Sequence, residues 1–120
     1  MQPDQERRRH PRFLVKEGTL AINDQIVGPV INISLGGMAF EYYDNDMRDA
    51  QEMDMGIFFS ETGFLLTNLT SEAVYEETVD SSVSFLPLTR KRTSIKFVDL
   101  TPTQRQKLLR FIENHTCGLA

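Results

Sequence analysis

Cysteine is nearly missing from this chain. Cys117 stands alone, which excludes an internal disulfide, and no group of Cys and His has the spacing of a metal site. No apolar run approaches the roughly 20 residues that cross a bilayer. The opening MQPDQERRRHPRF also lacks the apolar stretch of a secretory signal. These absences give the cytoplasm as the expected location, with no membrane insertion. Missing too are a Ser/His/Asp set, paired histidines and a phosphate-loop motif, and Ser34 has no sequence-evident base. The reading is of a protein that binds rather than catalyses, with no metal and no cofactor. An excess of positive charge is also lacking: 13 Lys and Arg against 17 Asp and Glu leave a net charge of -4, which argues against general binding to DNA or RNA.

What is present is one domain's worth of chain, 120 residues, with enough bulk to bury a core. The charge is unevenly placed. Residues 1–16 hold five basic residues against two acidic ones, a local +3, while everything after residue 16 sums to -7. A basic arm on an acidic body suits a small, highly charged anion better than an extended duplex, which the body would repel. Residues 1–12 therefore read as a flexible basic arm, and 13–117 as the folded unit.

Strand signals run through that unit. FLVKEGTLAI and QIVGPVINIS flank the turn residues Asn23 and Asp24, which predicts a hairpin. Met38–Tyr43, MGIFF, GFLLTNLTSEAVYEE, SVSFL and TSIKFVDL supply further strands, separated by a charged connection and by Gly63, Asp80 to Ser82 and Pro87. At Thr101-Pro102 the period changes. Thr101 can cap a helix whose first position is Pro102. Leu108, Leu109, Phe111 and Ile112 then gather on one side of a helix over about 102–115, with Gly118 as its stop signal. Six or seven short antiparallel strands and one C-terminal helix predict a small barrel with the helix at one end.

Two polar elements stand out. Arg8 and Arg12, four apart, precede the first strand, and Pro11 keeps this approach out of a helix interior. Each guanidinium is planar, permanently charged and able to fork onto phosphate or stack on a base. Alone, such a run is also what a solvated tail looks like. The second element is Asn32-Ile33-Ser34-Leu35-Gly36-Gly37. Two residues apart along a strand, Asn32 and Ser34 project together as a polar pair on the barrel exterior while Ile33 enters the core. The glycines permit a bend or the close approach of a ligand to the backbone. Alone, this could equally be a strand ending in a Gly-Gly turn.

Together, Arg8-x-x-x-Arg12 followed by Asn32-x-Ser34-x-x-Gly37 resembles the PilZ domain, the bacterial receptor module for cyclic di-GMP. TSIKFVDL and TPTQRQKLLRFI resemble that family's last strand and C-terminal helix, so the resemblance covers Arg7 to about Asn114. It implies a mainly β fold, a six-stranded antiparallel barrel with a C-terminal α-helix that binds cyclic di-GMP on its outer surface. Carried onto this chain, it makes Arg8 and Arg12 the ligands of phosphate and guanine, and Asn32, Ser34, Gly36 and Gly37 the strand side of the pocket. Asn32 stands where many members have Asp. Arg7 is a basic residue directly before the arginine pair, a feature that in the family accompanies two mutually intercalated ligand molecules, so two per protomer are expected.

Arg9, Lys91 and Arg92 are further candidates for ligand contact. Arg90-Lys91-Arg92 reads either as a solvated loop before the last strand or as a distal wall of the site. The implied function is a cyclic di-GMP effector, a monomer or homodimer whose arm orders on binding and which then regulates a protein partner in motility, biofilm or exopolysaccharide output. The alternative is a PilZ-fold interaction adaptor that binds no nucleotide.

Overall fold

Alternation of apolar and polar side chains decides which face of each strand turns inward, and the chain obeys it over most of its length. The computed structural model describes residues 10–44, 52–80 and 89–120. Eight strands and one helix lie among them. The strands are β1 Phe13–Val15, β2 Thr19–Ile22, β3 Val27–Ile33, β4 Gly37–Asp44, β5 Glu52–Phe59, β6 Phe64–Asp80, β7 Thr89–Phe97 and β8 Thr116–Leu119, and the helix is α1 Pro102–His115. Every strand pairing is antiparallel. Neighbours follow the order β2, β5, β6, β7, β4, β3, and the β2–β3 pairing closes these six into a barrel. The fold is thus mainly β, a closed six-stranded antiparallel barrel with a C-terminal helix. β1 and β8 lie outside the ring as an extension of β3.

The barrel interior is filled by Ile33, Met38, Phe40, Met55, Ile57, Phe59 and Leu69, all nearly fully buried. Helix α1 closes one end by sending Leu108, Phe111 and Ile112 into that core. The Phe111 ring meets Phe59 edge-on at 5.9 Å and stacks on Phe64 at 5.0 Å, an arrangement favoured by the ring quadrupole. The helix start is fixed by a capping box: the Gln104 amide donates to Thr101 Oγ1 at 3.1 Å, and the Thr101 amide donates to Gln104 Oε1 at 3.0 Å. Gln104 Nε2 also donates to the carbonyl of Asn68 at 2.9 Å, tying the helix start to β6.

Three local expectations are revised. FLVKEGTLAI is two strands, because Gly18 at φ +95° turns the chain between β1 and β2. The helix stops at Thr116, which is already extended, and Gly118 sits at φ +123° inside β8. Pairing with β1 makes Thr116–Leu119 a strand, one that the sequence pattern does not announce. Arg90, Lys91 and Arg92 belong to β7 rather than to a loop before it. The turn at Asn23 forms as expected, its Oδ1 accepting from the amides of Gln25 and Ile26, each at 2.7 Å. The strand expected over SVSFL and the arginines Arg7, Arg8 and Arg9 lie outside the described residues.

Candidate functional site

The second polar element folds into the turn between β3 and β4, and Ser34 builds it. Its amide donates to the Gly37 carbonyl at 2.8 Å. Its hydroxyl oxygen accepts from the amides of Gly36 at 3.0 Å and Gly37 at 3.2 Å. This is a side chain mimicking a backbone turn. Strand β3 therefore ends at Ile33, and Ser34 is turned inward, 5% exposed, instead of projecting beside Asn32.

Neither Gly36 nor Gly37 adopts a left-handed conformation; what Gly37 supplies is room. A Cβ there would stand 2.1 Å from the Ile95 carbonyl oxygen, so only glycine lets β4 and β7 meet at this corner. The Phe97 amide donates to the Gly36 carbonyl at 2.9 Å and pins the turn to β7. His10 packs over Gly36, where a Cβ would come within 3.0 Å of its ring. The end of the basic segment thus lies against the turn, beside an apolar groove of about 430 Å³ whose walls include Phe13, Leu35, Leu109 and Ile112.

Asn32 keeps its strand position and faces outward, opposite Leu14 of β1 and Ala39 of β4. Its Oδ1 is buried and accepts no hydrogen bond from any described residue, an arrangement that native structures generally avoid unless something else completes it. Arg12 is two residues before Leu14, and the Ala120 amide donates to its carbonyl at 2.9 Å, so the ladder between the chain's two ends continues through it. Strand alternation then puts Arg12 and Leu14 on the face that carries Asn32. The two elements are brought together as far as the description reaches.

Lys91 and Arg92 are engaged in cross-strand ion pairs. Arg92 lies opposite Glu41 on β4 and Glu77 on β6. Its Nη2 and Nε donate to Glu41 Oε2 at 2.7 and 3.1 Å, and its Nη1 lies 4.0 Å from Glu77. Lys91 Nζ lies 3.8 Å from Glu76, which also accepts from the Tyr42 hydroxyl. On the other side Lys96 faces Glu72 at 3.3 Å. Tyr75, unremarked in the sequence, donates its hydroxyl to Glu77 Oε2 at 3.0 Å, and this bond, with the charge of the same carboxylate, raises its pKa above the ordinary phenol value. Among the described residues no three potential metal ligands cluster, and no helix is long and apolar enough to cross a membrane.

A family model described as the PilZ domain matches residues 6–114. This chain belongs to the PilZ family. Among solved structures it is similar to the PilZ domain with c-di-GMP of YcgR from Escherichia coli, with TM-score 0.63 and 18% identity over 91% of each chain. It is also similar to the MrkH–c-di-GMP complex of K. pneumonia, with TM-score 0.63, 13% identity, and 90% of this chain covering 52% of that one. The Legionella protein Lpg0364 matches with TM-score 0.55 and 14% identity, over 85% of this chain and 89% of that one. At such identities the likeness is one of fold. A search of curated protein sequences returns no match.

Proposed function

We propose that this PilZ domain is a receptor for cyclic di-GMP. The observation that carries the reading is the buried Oδ1 of Asn32, without a hydrogen-bond partner among the described residues, on the face reached by the segment that bears Arg12. A guanine edge supplies the N–H donors that this oxygen lacks. The phosphates supply the anion that Arg8 and Arg12 would grip, and Arg7 would lower the charge penalty of admitting a second ligand molecule. Ser34, Gly36 and Gly37 act by holding the turn that presents Asn32. Lys91 and Arg92, already committed to carboxylates, are bystanders unless those pairs open. Occupancy would then alter the surface offered to a protein partner in motility, biofilm or exopolysaccharide output.

Isothermal titration with cyclic di-GMP tests this directly. Saturable heat is expected at two ligands per protomer, lost in Arg8→Ala and in Arg12→Ala. A stoichiometry of one would remove the role given to Arg7. No heat from a folded protein would overturn the receptor reading and leave an interaction adaptor in its place.

A further inference from the structure

The outer face of the barrel is built differently on its two sides. Over β4, β7 and β6 it carries charge, Glu41, Arg92 and Glu77 in one row and Lys96 facing Glu72 in another, as a solvated sheet face requires. Around β2 the outward rows are apolar. Leu20 lies directly opposite Pro29 of β3 and Phe58 of β5, and Phe58 lies directly opposite Leu65 of β6. Directly opposed side chains in antiparallel strands leave the same face, so these four form one row across four strands. Beside it Ile22 is opposite Val27 and Gly56. The alternate residues Ala21, Ile57, Phe59 and Leu66 fill the core, so both rows face outward.

Val27 is 62% and Leu65 52% exposed; Pro29 is exposed, and Leu20, Ile22 and Phe58 are half-buried. None of the six belongs to the core. The strip runs on over Gly56, where a Cβ would stand 3.2 Å from Ile22 Cγ1 and 3.5 Å from Thr67 Cγ2. Carboxylates mark both ends of it. Asp24 lies in the turn after Ile22, and Asp54 stands outward on β5 two residues before Gly56. At the other end Glu17 and Glu61 occupy two turns joined by the Ser60 amide, which donates to the Gly18 carbonyl at 3.1 Å. All four are exposed, and Lys16 is the one cation in the turns that bound the strip.

We propose that this strip is the docking surface for another protein, one whose own apolar surface is bordered by lysine or arginine. The carboxylates choose the occupant. A second copy of this chain would set acid against acid at the ends of the strip, and a nucleic-acid duplex or an anionic bilayer would be repelled by them. A cation-bordered apolar surface covers the six side chains and neutralises the ends. The inference does not depend on the receptor reading, since no residue of the strip belongs to the motifs that carry it.

The probe is a helical peptide of leucine and lysine with its leucines on one side, titrated into the isotopically labelled chain while amide shifts are followed. Saturable shifts are expected at Leu20, Ile22, Val27, Phe58 and Leu65, and none with a peptide of the same pattern in which glutamate replaces lysine. Leu65→Ser should weaken the interaction about tenfold by removing one aliphatic contact. Asp24→Asn combined with Asp54→Asn should weaken it several-fold. Val27→Thr and Leu65→Ser should keep the native urea midpoint, because exposed side chains add little to folding. Shifts confined to other surfaces, or equal binding of the glutamate peptide, would overturn the proposal. A dimer in sedimentation that Leu65→Ser disperses would also overturn it and give the strip to a second copy.

Discussion

On the receptor reading, Asn32 is the residue on which the energetics of binding turn. An amide with a buried, unpaired carbonyl is tolerable; a carboxylate in the same place loses far more solvation. Asn32→Asp should therefore destabilise the ligand-free domain by about 1–3 kcal/mol in urea unfolding. It should also bind cyclic di-GMP several-fold more tightly, because a charged acceptor takes both guanine N–H donors. A variant that binds no better than the native chain would show that the oxygen does not meet the base. The outward strand position of Asn32 is legible in the sequence because the neighbouring Ile33 takes the core face. Ser34 is not read correctly from spacing: two residues apart implies a shared face only while the strand continues, and a serine followed by two glycines is itself a turn-forming sequence.

The elements divide along similar lines. Helix α1 announces itself through Thr101, Pro102 and its apolar stripe, all local signals, and it runs Pro102–His115. Strand β8 has no such signal; it exists because β1 offers it an edge. Arg90 to Arg92 resemble a loop in sequence because the carboxylates that neutralise them, Glu41, Glu76 and Glu77, are supplied by β4 and β6. Gln104 is where helix and barrel meet, capping α1 and bonding β6 with one side chain. Gln104→Ala should lower the unfolding free energy by about 1–2 kcal/mol without changing the helix content of the native state. An unchanged denaturation midpoint would mean that the capping box and the tie to Asn68 contribute nothing.

At the scale of the whole molecule, barrel closure is implied by the strand pattern and the family resemblance, while the meeting of the two chain ends is not. β1 has two register pairs with β3, Phe13 with Ile33 and Leu14 with Asn32, and its other edge is covered by β8. Removing residues 116–120 should leave the six-stranded ring folded but cost about 1–2 kcal/mol of stability. On the receptor reading it should also weaken cyclic di-GMP binding, because the strand next to Arg12 loses half its support. Native affinity in the truncated chain would show that β8 has no part in holding the site.

The direction of that pairing has a mechanical consequence. Phe13 opposes Leu119, and the Arg12 carbonyl bonds the Ala120 amide, so both ends of the chain leave the ladder from the same side. A load applied between the two ends would not shear this ladder; it would unzip it, one hydrogen bond at a time. The root of the basic arm would separate from the C-terminal strand at low force, while the closed barrel behind it stayed intact.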